Sequence, residues 1–487
     1  WVAISMSKTI IIIGAGLAGL SAALQAAENG CNVKLVSSFP SERAQSVMAE
    51  GGINAALNTK DENDSPEEHF TDTIKAACGL ADPNAVWGMT QAAPELVHWL
   101  LKLGVKFNMS GYDDVDLRNF GGQKKKRTAF AQSDTGKQIM TAMIDAVRRK
   151  EASGMVERFS HHSFLTLRLC GNICCGCVIR DEYSQRIVEL PGDAVIVATG
   201  GMHGLFGNTT GSLSNTGEVT AELFRLGVPL ANGEMIQYHP TTVKCGGKRM
   251  LISEAARGEG GRLFAMKDGK QWYFMEEKYP ELGNLMPRDI TAREIWKVSH
   301  ESEVFLDMTE ISDEIISNKL SGLADDCMTY LHKDIRKEPV SVLPGIHYFM
   351  GGILVDEQHR TPIQNLYAAG ECCAQYHGAN RLGGNSLLGA LYGGCVAAKS
   401  ACEQADVVDL SCATQIDFPP ASQISEIKQL NKVMQETMGV VRNENTLLNG
   451  IQTVQALTGN LPLLGMAVLK SALARKESRG AHWREDY

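Results

Sequence analysis

The segment from residue 9 to residue 37 constrains the fold more than any other part of the chain. Thr9–Ile13 is a short β-branched run that predicts a buried parallel strand, and a glycine loop, residues 14–19, follows it directly. Residues 20–29 predict an Ala- and Leu-rich helix that Gly30 ends, and Asn32–Ser37 predicts a second strand. In the order strand, G-x-G-x-x-G, helix, the glycines permit a tight turn and bring backbone N–H groups close to a pyrophosphate at a helix N-terminus. The segment therefore predicts a Rossmann-like α/β fold. The expected cofactor contacts are Gly14, Ala15, Gly16, Ala18 and Gly19.

The end of the second predicted strand departs from the simple NAD-binding pattern. An acidic residue usually stands there and binds a ribose hydroxyl. Ser37 and Ser38 occupy the place in this chain. A hydroxyl group can bind the ribose less strongly, so both serines are kept as predicted cofactor contacts.

Other glycine-ended segments predict how the rest of the chain is organised. Residues 194–198 and 366–371 resemble the first strand, each ending at a glycine, and Gly51-Gly52 forms a second glycine turn. Residues 94–103 predict a helix with Pro94 in its first turn and Gly104 just past its end. The stretch 237–347 is richer in Met, charged and aromatic residues, and the pattern after residue 422 is helical. We therefore predict a nucleotide-binding domain made of 1–236 and 348–421, an inserted α+β domain at 237–347 and a helical domain at 422–487.

Charge and composition exclude some classes of function. There are 47 Lys and Arg residues against 56 Asp and Glu residues, a net charge of −9, which argues against a general nucleic-acid binder. No apolar run reaches the roughly 18 residues of a membrane span. The first eight residues lack a secretory signal pattern and the 13 cysteines are odd in number, so we expect reduced thiols in the cytoplasm. We also expect Met6 to be the natural start and residues 1–5 not to be native.

Some chemically suggestive groups have an ordinary interpretation. Cys170, Cys174, Cys175 and Cys177 lack the spacing of a zinc ribbon or a ferredoxin. Residues 165–190 alternate like a β-hairpin, which would place these thiols on opposite faces, so no metal site is predicted. No C-x-x-C-H occurs, so no covalent haem is encoded. The basic run 124–127 is predicted to be a solvated loop, and His161 and His162 are not expected to act in catalysis.

Seven blocks together resemble succinate dehydrogenase and fumarate reductase flavoprotein subunits. They occur in the same order as in that family, and the resemblance runs from about residue 9 to residue 486. The blocks are VMAEGGI at 47–53, QYHPT at 237–241, SEAARGEGG at 253–261, PRD at 287–289, HYFMGG at 347–352, HGANRLGGNSL at 377–387 and ESRGAH at 477–482. L-aspartate oxidase belongs to the same superfamily and is the competing assignment.

The resemblance implies an FAD-binding domain, a capping domain over 237–347 and a substrate site between them. It implies that Glu371 holds the FAD ribose. It also implies that residues 380–387 place a helix N-terminus at the flavin pyrimidine, where partial positive charge stabilises the reduced ring. The further cofactor contacts that it implies are Ser46, Gly51, Gly52, Thr199, Gly200, Asn380, Arg381, Ser386 and Leu387.

The resemblance also implies the catalytic groups for a C4 dicarboxylate. Such a substrate requires cationic or donor groups at both ends, a hydride at one alkene carbon and a proton at the other. Arg288 matches the family's proton donor, and Glu254 matches the residue that relays protons to it. Arginine has a pKa above 12, so it can act as an acid only in a dry site beside such a relay. His239, Ser253, His347 and Arg381 match the groups that bind and polarise the carboxylates, with Ser253 standing where the family usually has Thr.

Two positions discriminate within the family. Phe120 stands where L-aspartate oxidases typically carry a Glu that pairs with the substrate ammonium, which favours fumarate or succinate as substrate. Gln45 stands where the covalent members have the His that links to the flavin, so we expect FAD to be bound noncovalently and fumarate reduction to be favoured. A non-enzymatic assembly or flavin-storage role is the third hypothesis, against which the complete catalytic set argues.

The source of electrons is not encoded in this chain. The sequence has no second nucleotide-binding fingerprint and no iron–sulfur ligand pattern. We therefore expect an iron–sulfur or other electron-transfer partner subunit, or a diffusing reductant. The expected location is the cytoplasm, or the membrane periphery through that partner.

Overall fold

The computed structural model describes residues 7–406, 417–418 and 423–487. The expectation about Met6 and residues 1–5, and the predicted boundary between residues 421 and 422, lie outside the described residues.

The strands are numbered in chain order. They are β1 (Thr9–Ile13), β2 (Asn32–Ser37), β3 (Ile53–Asn54), β4 (Leu117–Arg118), β5 (Thr128–Ala129), β6 (Val156–Ser160), β7 (His162–Cys170), β8 (Ile173–Asp181), β9 (Ile187–Pro191), β10 (Ala194–Val197), β11 (Leu230–Ala231), β12 (Ile236–Cys245), β13 (Lys248–Leu251), β14 (Arg262–Lys267), β15 (Lys270–Trp272), β16 (Val304–Asp307), β17 (Val340–Ser341), β18 (Leu343–Phe349), β19 (Gly352–Leu354), β20 (Leu366–Ala368) and β21 (Cys373–Ala374).

The helices are numbered in the same way. They are α1 (Leu17–Glu28), α2 (Pro66–Ala76), α3 (Pro83–Lys102), α4 (Thr135–Ala152), α5 (Glu218–Arg225), α6 (Glu254–Gly258), α7 (Phe274–Lys278), α8 (Arg288–Val298), α9 (Asp313–Lys319), α10 (Ser321–Asp326), α11 (Asn385–Gln404), α12 (Ile424–Thr437), α13 (Glu444–Val454) and α14 (Asn460–Ala474).

A five-stranded parallel sheet forms the centre of the molecule, in the order β20-β10-β1-β2-β6. Alternate residues of β1 point to opposite faces. Ile10 and Ile12 join the core beneath α1, α4 and α11, whereas Ile11 and Ile13 join the core beneath the β7–β8 hairpin. The sequence segments predicted as glycine-ended strands thus lie side by side. Their carboxyl ends meet at one edge, where cofactors bind in open α/β sheets.

The rest of the chain surrounds this edge. The strands β12, β13 and β18 form one sheet, and β14 to β17 form another that packs with α6 to α10 around a separate core. The helices α12, α13 and α14 pack on a fourth core that includes Phe206 and Phe349. The predicted mixture of helices and sheets is confirmed, whereas the division into three domains stays a prediction.

Two local predictions are corrected. The helix predicted at 94–103 is the second half of α3, which begins at Pro83 because Asp82 caps it, accepting hydrogen bonds from the Asn84 and Ala85 N–H groups. Pro94 lies inside this helix. The basic run 124–127 is not wholly solvated, because Arg127 is fully buried between Asp64 and Asp72 at 2.8 and 3.0 Å.

The cysteine-rich segment forms the predicted hairpin of β7 and β8. A bulge near Cys175 changes the strict alternation, so Cys174 and Cys177 both enter the core, although the sequence predicts opposite faces. Cys170 is disulfide-bonded, so the expectation of reduced thiols is wrong at that residue. Within the described ranges, no group of three or more His, Cys, Asp or Glu side chains could hold a metal ion. Nor does any helix in those ranges have the length and apolar character to cross a membrane.

Candidate active site

A cavity of about 730 Å³ lies at the carboxyl edge of the central sheet and extends towards β12, α6 and α8. Most of the residues that the sequence predicts as cofactor or substrate contacts line it. They are Gly14, Ala15, Gly16, Ala18, Ser37, Ser38, Ser46, Gly51, Gly52, Phe120, Thr199, Gly200, His239, Ser253, Glu254, Arg288, His347, Glu371, Arg381, Ser386 and Leu387. Gly19 and Asn380 lie behind the lining.

The three glycines of the first loop have different structural roles. Gly14 has a φ of +110°, and a Cβ there would lie 2.2 Å from the Ala198 carbonyl oxygen. A Cβ on Gly19 would lie 1.8 Å from the Gly14 carbonyl oxygen, so both positions require glycine for backbone packing. At Gly16 the nearest atoms, in Ala44 and Ser46, are 3.7 Å from a Cβ, so a Cβ there fits and borders the cavity.

Polar groups at the sheet edge are available for a ribose. The Ser37 hydroxyl is buried without a partner among the described residues. Glu371 accepts a hydrogen bond from the Phe349 N–H at 3.1 Å and lies 3.6 Å from His203 Nε2. Ser38 bonds the Ser163 hydroxyl at 3.1 Å.

Arg288 and Glu254 form a buried pair at the other end of the cavity. Arg288 Nε and Nη2 donate to Glu254 Oε2 at 2.8 and 2.5 Å, and its Nη1 donates to Gln237 Oε1 at 3.1 Å. The other oxygen of Glu254 accepts from the Gly121 N–H at 2.9 Å. Burial favours the protonated acid, but the charges of Arg288 and Arg257 outweigh it and hold the pKa of Glu254 below its ordinary value.

Two histidines, the buried His239 and the partly buried His347, lie next to each other at this end, with ring centroids 5.1 Å apart. Burial and the positive charge of Arg288 lower the pKa of both His239 and His347 well below the usual range, so both rings are neutral. The Nδ1 atom of each ring has a hydrogen-bond partner. His239 Nδ1 lies 3.1 Å from the Thr241 carbonyl oxygen, and His347 Nδ1 lies 2.7 Å from the Thr210 hydroxyl. His239 Nε2 is buried without a partner among the described residues.

Arg381, Phe120 and Ser253 complete the same wall. Burial and the charge of Arg288 lower the pKa of Arg381 to about 9, which leaves it a cation at neutral pH. Its guanidinium lies 4.2 Å from the ring centroid of Tyr348, and its Nε is buried without a partner in the described part of the chain. Ser253 caps α6 through the Ala255 N–H, while Phe120 is buried and carries no charge.

Comparison with known proteins decides the family. The family model "FAD binding domain" matches residues 9–387, and the model "Fumarate reductase flavoprotein C-term" matches residues 458–487. The succinate dehydrogenase flavoprotein subunit of Bacillus subtilis is 39% identical over 99% of this chain and 91% of its own length. The chain belongs to the succinate dehydrogenase and fumarate reductase flavoprotein family.

Further relatives show how broad this family is. An L-aspartate oxidase of Pyrococcus furiosus is 33% identical over 98% of this chain and 95% of its own length. The structure of an E. coli quinol fumarate reductase aligns with a TM-score of 0.89 and 27% identity over 99% of this chain and 91% of that chain. The chain is therefore an FAD-dependent oxidoreductase of this family.

The residues present fit FAD. Gly16 leaves space at the N-terminus of α1, the kind of place where a phosphate binds, and the Ser37 hydroxyl, which has no partner among the described residues, is available to a ribose. At the opposite end, the start of α11 lines the cavity through Ser386 and Leu387. Gln45 also lines the cavity, and its Oε1 accepts a hydrogen bond from the Ser212 N–H.

Sequence reasoning missed several residues of the site. Arg257 lies one helical turn after Glu254, 3.4 Å from its Oε1, a relation that the E-x-x-R spacing could have indicated. Gln237 joins Arg288 to the loop before α11, because its Nε2 donates to Asn380 Oδ1 at 3.0 Å and to the Arg381 carbonyl at 2.8 Å. No local sequence signal could have revealed that contact.

Glu50, also missed, gives a pH-dependent prediction for the apoprotein. Burial, together with Asp326 and Asp134, raises its pKa to about 8. The folded state therefore binds more protons than the unfolded state between about pH 4.5 and pH 8, so Glu50 lowers stability as pH rises through that window. At about 1.4 kcal/mol per pKa unit the effect amounts to a few kcal/mol. We expect Glu50→Gln to match the parent in urea unfolding at pH 4 and to be more stable at pH 9. Parallel pH profiles for the two proteins would contradict this assignment.

Proposed function

We propose that this flavoprotein interconverts fumarate and succinate with noncovalently bound FAD. One observation carries the proposal. The Arg288 guanidinium, fixed by Glu254 and Gln237, shares one cavity wall with Arg381 and two neutral histidines. In a water-poor site these groups bind an anionic substrate and offer it a proton.

The charge of this wall supports a dicarboxylate. Arg257, Arg288 and Arg381 are all buried, and Glu254 is the carboxylate that pairs with the first two. Arg381 has no ion pair with a carboxylate among the described residues. Arg288 and Arg381 line the cavity and Arg257 lies behind them, so three arginines and one carboxylate make this end of the cavity electropositive, which suits a dianion such as fumarate or succinate. Phe120 offers no partner for an ammonium group, so we do not propose L-aspartate as substrate.

The residues have distinct roles in the proposed mechanism. Bound FAD supplies the hydride for one alkene carbon. Arg288 gives a proton to the other carbon. The Glu254 carboxylate then takes up a proton that comes from solvent and passes it to the neutral Arg288 through their shared hydrogen bonds. His239, His347, Ser253 and Arg381 hold and polarise the carboxylates. Because both histidines are neutral, they add no further positive charge beside Arg288.

We also propose the assembly around this chemistry. Residues 237–347 form the capping domain, 1–236 and 348–421 the FAD-binding domain, and 422–487 the helical domain. Electrons reach FAD from an iron–sulfur or other electron-transfer partner. The relative from E. coli is named as a quinol fumarate reductase, which supports such a partner. An iron–sulfur protein that co-purifies with the chain would colour the preparation brown.

The FAD assignment predicts the effect of Gly16→Val. The Cβ of the valine fits, and its two methyl groups would occupy cavity space proposed for the phosphate. We expect a folded, colourless protein with an unchanged circular dichroism spectrum. Gly111→Val, in an exposed loop away from the cavity, is the matched control and should remain yellow. A Gly16→Val protein with normal flavin content would show that the pyrophosphate lies elsewhere.

Ligand binding tests the substrate. Fumarate, succinate and malonate should each perturb the visible flavin spectrum, because Arg288 and Arg381 make one end of the cavity electropositive. Steady-state oxidation of succinate and of L-aspartate with the same dye separates the two assignments. L-aspartate oxidised faster than succinate would make the protein an L-aspartate oxidase.

A further inference from the structure

Five buried polar residues form a connected cluster behind the cavity wall. Asn54, Gln123, Thr128, Asn385 and His69 are each at most 2% exposed, and none of them lines the cavity. We call these five residues the amide cluster. They belong to different parts of the chain: β3, the loop after Phe120, β5, the start of α11 and α2.

The hydrogen bonds within the cluster fix the orientation of the Asn54 and Gln123 side-chain amides. Asn54 Oδ1 accepts from Gln123 Nε2 at 2.9 Å and from the Thr128 hydroxyl at 2.6 Å. Asn54 Nδ2 donates to Asn385 Oδ1 at 2.7 Å. His69 Nε2 lies 2.9 Å from the same Asn385 oxygen. Burial and the charge of Arg127 lower the pKa of His69 to about 3, so the ring is neutral at neutral pH. Since Asn385 Oδ1 can only accept, His69 Nε2 is the donor.

The cluster holds the two glycines that lead into α11. The Gly383 carbonyl accepts from Asn54 Nδ2 at 2.7 Å and from Gln123 Nε2 at 2.9 Å. The Gly384 carbonyl accepts from the Asn54 N–H at 3.0 Å. Both carbonyls therefore face the cluster, which lies behind the cavity wall. The first N–H groups of α11 have no partner inside the helix. The Asn385 N–H donates to the Leu382 carbonyl at 3.2 Å, and the next two residues, Ser386 and Leu387, line the cavity.

The same cluster reaches the substrate end of the cavity. Gln123 Oε1 accepts from the Phe120 N–H at 3.3 Å, so the loop that carries Phe120 is tied to the loop before α11. A Cβ on Gly383 would lie 2.8 Å from Glu254 Oε2 and 2.9 Å from Phe120 Cβ. Because Gly383 fits so closely between these groups, movement of its carbonyl would disturb both the α11 N-terminus and the Arg288–Glu254 pair.

We propose that the amide cluster is a positioning device that fixes the N-terminus of α11 against the flavin and so raises the flavin's reduction potential. The inference rests on the proposed function only in assuming that the flavin ring lies at the start of α11. The partial positive charge of a helix N-terminus stabilises a negatively charged ring, and that effect falls off within one turn. A loop that is held by three hydrogen bonds to buried amides keeps this charge in place.

Gln123→Met tests the proposal, because methionine keeps the length of the side chain and removes its amide. Gly383 keeps its hydrogen bond from Asn54 Nδ2, so the fold should survive. In the FAD-loaded protein, we expect the ratio of reduced to oxidised flavin, equilibrated with a reference dye, to fall threefold to tenfold; tenfold corresponds to about 30 mV for two electrons. In the apoprotein, we expect amide hydrogen exchange to be at least tenfold faster in peptides covering 380–388.

Two further variants make the result decisive. Thr128→Val removes only the hydroxyl that bonds Asn54, and it should shift both measurements in the same direction by a smaller amount. Gln375→Met is the control, since Gln375 is a buried amide that donates to the Asp356 carbonyl and does not line the cavity. Unchanged exchange at 380–388, or a flavin ratio that matches the control, would overturn the proposal. If Gln123→Met fails to fold, Thr128→Val decides by the same two criteria.

The exchange measurement needs no flavin, so it separates this inference from the proposed function. Faster exchange in a protein that does not bind FAD would support the holding role of the cluster and refute the proposed function. Normal exchange and an unchanged ratio in an active flavoprotein would refute the positioning role alone.

Discussion

Arg288→Ala should lower fumarate reduction by several powers of ten while FAD stays bound. General acid catalysis alone contributes about 10²–10⁴ in rate, and Arg288 is also one of the two arginines that line the cavity and are proposed to bind the substrate. Its guanidinium lies at the start of α8, away from the glycine loop that is proposed to hold the pyrophosphate. Flavin content by absorbance and turnover with a reduced artificial dye measure the two effects separately.

The surroundings of Arg288 determine which controls are informative. Removing one member of a buried ion pair usually destabilises a protein by about 3–5 kcal/mol. Glu254 would still contact Arg257 at 3.4 Å and the Gly121 N–H at 2.9 Å, so we expect a smaller loss here. Arg288→Lys keeps a charge but cannot reproduce the planar set of donors, and it should also be severely impaired. Lys297→Ala, on the same helix with a half-exposed side chain, should behave as the parent. Near-normal fumarate reduction by Arg288→Ala would transfer the proton-donor role to another residue.

The sequence predicts the centre of the fold well because that information is local. The bounds of β1 and β2 agree with their predicted ranges, since a β-branched run that ends at a glycine has few alternatives. The start of α3 was missed because Pro94 resembles a helix start as strongly as Pro83 does. The helix starts at Pro83 because the Asp82 side chain caps it there.

The sequence does not predict the polar groups that support the site. In the sequence, Arg127 is the last residue of a basic run that is predicted to be exposed. In the structure it is buried and forms ion pairs with two carboxylates that lie more than 50 residues away in sequence. Asn54 and Gln123 carry no motif, and their significance comes from carbonyl groups of a loop that lies more than 250 residues later. Hydrogen bonds between distant segments depend on the completed fold, so neither periodicity nor spacing can reveal them. Resemblance to a family identifies the residues that touch the substrate more readily than those that hold them in place.

Gln45 predicts how the flavin is held. An amide cannot form the histidyl link, and in this structure it accepts a hydrogen bond from the Ser212 N–H while lining the cavity. We expect acid or detergent denaturation to release all of the yellow colour into the supernatant. Flavin that stays with the denatured polypeptide would refute the noncovalent assignment.

Gln45 also predicts the favoured direction of turnover. A histidyl link withdraws electron density from the ring and raises its potential, so its absence makes the reduced flavin a stronger reductant. For two electrons, about 30 mV changes the equilibrium constant tenfold, and a shift on the order of tens of millivolts therefore weakens succinate oxidation markedly. We expect faster fumarate reduction than succinate oxidation with matched artificial dyes. Gln45→His should move the ratio of the two rates towards succinate oxidation. Gln45→Leu, which loses the same hydrogen bond to Ser212 but has no imidazole, should leave the ratio unchanged. If the parent oxidises succinate faster than it reduces fumarate, the protein is a dehydrogenase in practice, and its potential is set by groups other than the residue at position 45.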